Sequence, residues 1–115
     1  MRDLIAPSLS AVCALADILP DSGVCALVDG EQVAVFRVDD ADASAVYAIG
    51  NLDTNSNAAV LSRGIVGNLG ERLVVASPIY KQHFDLRTGE CLEAPQHSVA
   101  AWRACIVEGQ VWVGR

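Results

Sequence analysis

Two short segments of the sequence place oxygen-bearing side chains close together, and they are the first candidates for a functional site. Asn51 and Asp53 stand in one segment, and Ser77 and Tyr80 stand in the other. The Ser hydroxyl, and the Tyr phenol with an ordinary pKa of about 10, stay protonated at neutral pH. Oxygen donors of this kind are poor ligands for a soft metal, which selects thiolate and imidazole. The four residues therefore predict neither a soft-metal site nor a catalytic site.

Ser77 also lacks the surroundings of a catalytic nucleophile. A serine becomes nucleophilic only beside a general base that a third group orients, and the sequence places no His–Asp pair to do this. Asp53 and Asp85 could be taken for a pair of acids. Asp85, however, lies in the segment FDLRTG, where an Asp side chain is expected to stabilise a turn.

Four cysteines, at positions 13, 25, 91 and 105, are the other candidates for metal or redox chemistry. No two of them are spaced C-x-x-C, and no His lies at zinc-finger spacing. Cys13, Cys25 and Cys105 lie among Val, Ala, Leu and Ile, where a free Cys behaves as a small buried hydrophobe. We therefore expect four free thiols, with a bridge between Cys13 and Cys25 as the alternative.

The charge balance excludes several classes of partner. The chain has 115 residues, of which 14 are acidic and 8 are basic, so that its net charge is −6. A nucleic-acid-binding surface needs a basic face to neutralise phosphates, and docking on an anionic membrane needs one too. No segment reaches the roughly 18 apolar residues of a transmembrane helix. The sequence predicts neither a nucleic-acid partner nor a membrane partner.

The amino-terminal segment MRDLIAPSLSAVCALA has some features of a lipoprotein signal, namely an early Arg, an apolar stretch and a Cys after small residues. Asp3 and Pro7, together with two serines, interrupt the apolar run, and cleavage there would remove an expected first strand. We therefore expect no export signal, and the expected location is the cytoplasm.

Turn signals recur along the chain and predict short strands. Hairpins are expected at Asp29-Gly30, where both turn positions need positive φ, at Arg87-Thr88-Gly89 and at Glu108-Gly109. Residues 10–15 and 73–80 also have strand patterns, with the latter running into a loop tip.

A few segments depart from this strand pattern. Residues 45–51 read as one more strand, whereas residues 52–70 are expected to form a long irregular excursion. The helix candidates, at 15–19 and 57–62, are short. With 52% hydrophobic residues, the chain is expected to form one all-β domain spanning residues 1–115. Its architecture would be an antiparallel β-sandwich or small barrel with little or no helix.

The residues around the two tips resemble the Rieske family. LSRG follows the first tip at 61–64, and FDLRTG follows the second at 84–89. Members of that family carry C-x-H followed by L-S-x-G in one loop, and C-P-x-H-G followed by F-D-x-x-T-G in the other. Their two Cys hold one iron of a [2Fe–2S] cluster and their two His hold the other. The resemblance implies a Rieske-like fold with two tip loops.

The scaffold residues match this pattern, but the ligands do not. Asn51 and Asp53 stand at the Cys and His positions of the first loop, and Ser77 and Tyr80 at those of the second. Lys81 replaces the Gly that follows. These degenerate ligand positions imply that the chain binds no cluster. We expect the Tyr80 ring and the Lys81 stem to occupy much of the cluster's volume. We expect Asn51, Asp53 and Ser77 to hydrogen-bond to one another's backbones, as turn residues do.

A longer stretch is similar to one branch of this family, the small subunits of NAD(P)H-dependent assimilatory nitrite reductase, which have a Rieske-type fold without the cluster. The matching strings are VLSRGIVG, SPIYKQHFDLRTGECLE and VCALADILPDSGVCALVDGEQVAVFRV. The resemblance implies a partner, a large subunit that carries FAD, a [4Fe–4S] cluster and siroheme and reduces nitrite to ammonia with NAD(P)H. The chemistry would belong to those cofactors, so this chain is expected to be a non-catalytic subunit with no cofactor of its own.

Positive side chains around the tips are the candidates for docking on the large subunit, or for a gate that attracts anionic nitrite. They are Lys81, His83 and Arg63, and charges at the rim of an interface mainly affect the association rate and its salt dependence. Two alternatives remain open from the residues alone. The chain could be a Rieske-type ferredoxin that carries electrons itself, or a free-standing interaction module.

Overall fold

The computed structural model describes residues 8–115, and most of this part of the chain is strand and turn. Residues 1–7, which hold the beginning of the signal-like segment, lie outside the described residues. Among the described residues, no helix is long and apolar enough to cross a membrane. The strands are β1 (Leu9–Ala14), β2 (Ser22–Val28), β3 (Glu31–Asp39), β4 (Ser44–Gly50), β5 (Leu52–Asp53), β6 (Ala58–Ala59), β7 (Ile65–Leu69), β8 (Arg72–Ala76), β9 (His83–Asp85), β10 (Ala101–Val107) and β11 (Gln110–Gly114).

Six of the strands form one curled antiparallel sheet. Their order is β1-β11-β10-β4-β3-β2, and the two edge strands β1 and β2 approach each other, so the sheet is a half-barrel rather than a flat layer. A second sheet, in the order β7-β8-β9, and the short pair β5-β6 follow β4 in the chain. The expected all-β antiparallel architecture is confirmed.

Strand β3 joins the two hydrophobic cores of the protein. Val33 and Val35 point into the half-barrel, whereas Ala34 and Phe36 point the other way, against the core that contains Phe84. All four β3 side chains have 0% exposure. Because successive side chains of a strand point to opposite faces, the nearly continuous apolar run in β3 is explained by burial on both faces.

Two of the three expected hairpins have the predicted geometry. Asp29 and Gly30 have φ of 51° and 79°, and Glu108 and Gly109 have φ of 53° and 76°. Positive φ at both central positions matches the right-handed twist of the flanking strands, and the Gly at the second position adopts it without steric cost.

The expected hairpin around Arg87 is only partly formed. The segment after the turn was expected to be a strand, but it contributes a single bridge, between Phe84 and Cys91. The Gly89 carbonyl accepts a hydrogen bond from Val99 at 2.9 Å. The backbone after the turn is therefore held by the 95–99 region, so a second regular strand does not develop.

The segment 52–70 is more regular than expected. It contains β5, β6 and a 3₁₀ turn at Leu61–Arg63, and it ends in β7, which pairs antiparallel with β8 over its whole length. The sequence of β7 contains Gly67 and Asn68, which are typical of turns, and this concealed the strand. The expectation of little or no helix is confirmed among the described residues, since the short helix candidates at 15–19 and 57–62 contain or overlap only 3₁₀ turns, at Leu15–Asp17 and Leu61–Arg63.

The four thiols are free, as expected. Cys13 packs against the half-barrel core, where burial, and then the charge of Asp17, raises the pKa of its thiol. Cys25 lies directly opposite Ala34 on the neighbouring strand, so both side chains point to the same face of the sheet. That face is the one turned away from the half-barrel core against which Cys13 packs, so the alternative bridge between Cys13 and Cys25 is excluded. The expectation that Cys25 is buried is wrong because β2 is an edge strand with an open outer face.

Candidate functional site

The two tip loops meet through a buried hydrogen bond. The Ser77 hydroxyl donates to Asp53 Oδ2 at 2.5 Å, and both residues have 0% exposure. Asp53 lies at the end of β5 and Ser77 follows β8 directly. The fold therefore brings two of the four degenerate ligand positions into direct contact.

Asn51 occupies the third position and is also buried and saturated with hydrogen bonds. Its Oδ1 accepts from the backbone N–H of Ser62 at 2.8 Å. Its Nδ2 donates to the carbonyl of Ala59 at 3.1 Å and to Gln32 Oε1 at 3.2 Å. The Asn51 side chain thus ties the LSRG turn to the end of β4, which gives it a structural role.

Asp53 is an ionised, fully bonded carboxylate. Its Oδ1 accepts from the backbone N–H of Asn55 at 2.9 Å, while Oδ2 accepts from Ser77. Burial by itself would raise the pKa of Asp53, but these hydrogen bonds outweigh it and the pKa lies below its ordinary value. Asp53 thus accepts from a nearby backbone N–H as a turn residue does. The expectation that Asn51, Asp53 and Ser77 bond one another's backbones is wrong, because Asp53 and Ser77 meet through their side chains and Asn51 bonds other residues.

The donor set does not fit a [2Fe–2S] cluster. Asn51, Asp53 and Ser77 present an amide, a carboxylate and a hydroxyl, and each is bonded to protein groups. Such a cluster requires thiolate and imidazole ligands. Across residues 8–115, no three His, Cys, Asp or Glu side chains converge as a metal-binding group.

Tyr80 and Lys81 do not fill the space between the loops, so this expectation is wrong. Tyr80 is 63% exposed and its neighbour Ile79 is 47% exposed. The backbone N–H of Lys81 donates to the carbonyl of Ser77 at 3.0 Å, and Lys81 has φ of 62°. This tight turn projects residues 78–80 into solvent, while the hydrogen bonds of the three buried residues close the space beneath.

The three docking candidates from the sequence differ in whether a described acidic residue pairs with their charge. Lys81 and Arg63 are exposed, and neither forms an ion pair with a described residue. His83 Nδ1 lies 2.6 Å from Glu93 Oε2, and the backbone N–H of His83 donates to Glu93 Oε1 at 2.7 Å. Burial would raise the pKa of Glu93, but the hydrogen bonds from His83 lower it overall. The Glu93 carboxylate would therefore neutralise a positive charge on His83, which leaves less charge for a partner than Lys81 or Arg63 offers.

Sequence reasoning missed the anchors that hold the first tip loop. His97 Nδ1 is hydrogen-bonded to Asn55 Oδ1 at 2.6 Å, and the Thr54 hydroxyl donates to the His97 carbonyl. Gln32, which holds Asn51, was missed as well. The partners lie far apart in the sequence, and no local pattern marks them.

We predict that Asp53→Asn destabilises the chain at neutral pH by about 1–2 kcal/mol, because it weakens a charge-assisted, buried network. Since the folded-state pKa of Asp53 is lowered, its stabilisation is present above the unfolded pKa of about 3.9 and is lost as pH falls through the folded value. Urea unfolding at pH 7 and near pH 3 should show a difference from the wild type that shrinks in acid. A difference that stays constant with pH would contradict this account.

Comparisons with known proteins give the following matches. Residues 8–114 match the model of a family described as the Rieske-like [2Fe-2S] domain. Over 100 residues the chain is 47% identical to the nitrite reductase (NADH) small subunit of Salmonella typhimurium strain LT2, covering 87% of this chain and 91% of that one. The crystal structure of a proposed NADH-dependent nitrite reductase small subunit from Mycobacterium tuberculosis superposes with a TM-score of 0.87 at 47% identity, covering 93% of this chain and 94% of that one.

A further relative is a much longer chain. The nitrite reductase [NAD(P)H] large subunit of Klebsiella oxytoca is 40% identical over 104 residues, which are 90% of this chain but 10% of that one. In that relative, therefore, a homologous segment is a covalent part of the large subunit itself.

Proposed function

The chain belongs to the Rieske-like [2Fe-2S] domain family and, within it, to the nitrite reductase small subunits, and on this basis we propose that it is a non-catalytic subunit of NAD(P)H-dependent nitrite reductase. One observation carries the proposal. Asn51, Asp53 and Ser77 stand at the ligand positions of the family, yet they are buried and hydrogen-bonded to protein groups. Nothing in this donor set suits electron transfer through a cluster, so the contribution of the chain is binding.

The proposed partner is the large subunit, which would carry FAD, siroheme, a [4Fe–4S] cluster and the NAD(P)H site. The Klebsiella oxytoca relative supports this partner, because the homologous segment there belongs to a large-subunit chain. It also supports one small subunit for each large subunit. The free thiols agree with a reducing compartment, so we place the complex in the cytoplasm and treat residues 1–115 as one domain.

The docking surface that the charges and side chains favour is the tip, meaning the end of the protein formed by the two tip loops, residues 51–53 and 77–81. It presents Ile79, Tyr80 and Lys81 to solvent, and Arg63, which follows the first tip loop, is exposed as well. Neither Lys81 nor Arg63 forms an ion pair with a described residue. Aromatic residues are typical anchors of interfaces, and rim charges steer association. Several of the acidic residues lie at the opposite end of β3 and β4, in the loop after Asp39. The resulting charge asymmetry favours approach of the partner to the tip.

We predict that Lys81→Gly separates docking from folding. Lys81 has φ of 62°, a left-handed conformation that costs a non-Gly residue about 1 kcal/mol and that Gly adopts freely. Greater freedom of Gly in the unfolded chain offsets this gain, so stability should change by less than about 1 kcal/mol. The affinity for the large subunit at low salt should fall about threefold to tenfold. Titration calorimetry at two salt concentrations and urea unfolding test both parts.

The conservative variant Lys81→Arg is the control for this prediction. It keeps the positive charge, so it should retain most of the affinity and of its salt dependence. Equal affinities of Lys81→Gly and the wild type at low salt would show that this cation does not dock.

The function itself is tested by assaying nitrite reduction by the large subunit with and without this chain. We expect the isolated chain to show no activity, and we expect activity or stability of the large subunit to depend on its addition. Iron and acid-labile sulfide analysis of gently purified chain separates this proposal from the ferredoxin alternative. Stoichiometric iron and sulfide, with visible absorption, would show an electron carrier instead.

A further inference from the structure

Strand β7 is an exposed sheet edge without the usual protection against pairing. It reads IVGNL, with no charged residue and no Pro, although exposed edges normally carry such residues. Within residues 8–115, no strand pairs with its outer edge. The other uncharged edges of comparable length, β1 and β2, approach each other across the opening of the half-barrel. Strand β7 is therefore the apolar edge that an additional partner could cover.

The outer face of β7 has the shape of a receptor for an apolar side chain. Ile65 and Leu69 point outward on this face and are 74% and 42% exposed. Gly67 lies between them, and a Cβ built on it would meet no atom of residues 8–115 within 4 Å. The result is a shallow cavity of about 150 Å³, which His83 also lines. Its floor includes Val74, which pairs with Gly67 in register.

We propose that this outer face of the β7-β8-β9 sheet, together with the free edge of β7, is a second contact surface for the large subunit. An extended apolar segment of the large subunit would place one side chain above Gly67 and could pair its backbone with β7, as in other cases of strand addition. The proposal rests on the proposed function, because it names the same partner. It assigns to that partner a surface distinct from the tip.

Continuity with the tip favours this occupant. Ile65 pairs with Ala76, and the next residue, Ser77, begins the tip loop. His83, a docking candidate from the sequence, pairs with Ala76 on the other side and lines the cavity. The chain therefore runs directly from this face, at Ala76, into the second tip loop, so a partner bound at the tip lies next to the outer face of β7.

A second copy of this chain fits the surface less well. Each copy carries a net charge of −6, and like charges oppose association. A stable specific interface buries about 800 Å² on each partner, whereas the large exposed apolar side chains of this face are only Ile65 and Leu69 among the described residues. The face is sufficient as an extension of a tip interface and too small for a dimer of its own.

The Gly67→Val variant tests the proposal. Because the added side chain meets open space and Val favours a strand, the isolated chain should remain at least as stable as the wild type in urea unfolding. The filled cavity should weaken binding to the large subunit at least tenfold in titration calorimetry. Ile65→Ser should weaken binding at least fivefold. Its matched control is Leu27→Ser, since Leu27 on the edge strand β2 is 73% exposed and should leave binding unchanged.

The possible outcomes distinguish this surface from the proposed function. If the wild-type chain does not bind the large subunit, both are overturned. If the wild type binds and Lys81→Gly weakens binding, while Gly67→Val and Ile65→Ser do not, only the β7 surface is overturned. Sedimentation of the isolated chain tests self-association. A dimer that Gly67→Val dissociates would identify the face as a contact between copies and would also overturn the proposal.

Discussion

The Gly89→Ala variant is expected to be mostly unfolded. Its free energy of unfolding should fall by more than about 4 kcal/mol, a change that few single substitutions reach. Gly89 has φ of 80°, and a Cβ at this position would lie 2.0 Å from the carbonyl oxygen of Val99 and 3.0 Å from its carbonyl carbon. Both are backbone atoms, so rotation of a side chain cannot relieve the clash. A loss of this size is comparable to the whole stability of many domains.

The neighbouring hydrogen bonds make the clash harder to escape. The Gly89 N–H donates to the Asp85 carbonyl at 2.8 Å, and the Gly89 carbonyl accepts from Val99 at 2.9 Å. Moving the backbone apart would break the contact that anchors the 95–99 region to the FDLRTG turn. Soluble yield, far-ultraviolet circular dichroism and the urea midpoint measure the effect.

Gly109→Ala is the matched control. Gly109 has a similar φ of 76°, but none of the described residues has an atom within 4 Å of the position of its Cβ. The free energy of unfolding of this variant should fall only by the cost of a left-handed conformation at a non-Gly residue, about 1–2 kcal/mol. If the two variants were equally destabilised, the close approach to Val99 would not be the cause.

The Asp85→Ala variant should be the second most damaging, lowering the free energy of unfolding by about 2–4 kcal/mol, because it removes a buried carboxylate that accepts several hydrogen bonds. Asp85 is 4% exposed. Its Oδ1 accepts from the backbone N–H groups of Arg87 and Thr88 at 2.7 and 3.0 Å, and Oδ2 accepts from Arg72 Nε at 2.7 Å. The substitution leaves all of these donors without their partner. Urea unfolding at pH 7 measures the loss.

Asp85→Asn divides this effect into two parts. The Asn amide oxygen can still accept from the turn N–H groups, but the negative charge opposite Arg72 is lost. The free energy of unfolding of Asp85→Asn should therefore lie between those of the wild type and Asp85→Ala. Burial would raise the pKa of Asp85, but the hydrogen bonds from Arg72 and the turn lower it overall. Its stabilisation is therefore present above the unfolded pKa of about 3.9 and is lost as pH falls through the folded value. The gap between wild type and Asp85→Asn should narrow in acid, and a gap that widened there would contradict the assignment.

These two predictions also explain part of the family signature in physical terms. Asp85 and Gly89 belong to the FDLRTG segment by which the chain resembles the Rieske family. In this protein, Asp85 organises a turn and Gly89 permits a close backbone approach. Both roles are independent of a metal, so the scaffold can be retained while the ligand positions hold other residues.

Residues that act through local backbone geometry were predictable from the sequence. The pairs Asp29-Gly30 and Glu108-Gly109 specified their turns, because positive φ at adjacent positions depends on only a few contiguous residues. The alternation of inward and outward side chains in β3 was predictable for the same reason. The lack of soft ligands at positions 51, 53, 77 and 80 followed from residue chemistry alone.

Residues that act through distant partners were not predictable. The direction of Tyr80 depends on the turn closed by Ser77 and Lys81, and the exposure of Cys25 depends on β2 lying at a sheet edge. Strand β7 was concealed because Gly67 and Asn68 resemble a turn until pairing with β8 defines them.

The sequence by itself determined that this is an all-β chain whose tip residues cannot ligate iron in the manner of a Rieske protein, since side-chain chemistry and turn preferences are local properties. Only the tertiary structure decided that Asp53 and Ser77 bond each other, that Tyr80 faces solvent and that β7 offers an open apolar edge. These features depend on the register and order of strands. The register and the order of the strands are determined by hydrogen bonds and packing between segments that are distant in the sequence. No short stretch of sequence encodes either of them.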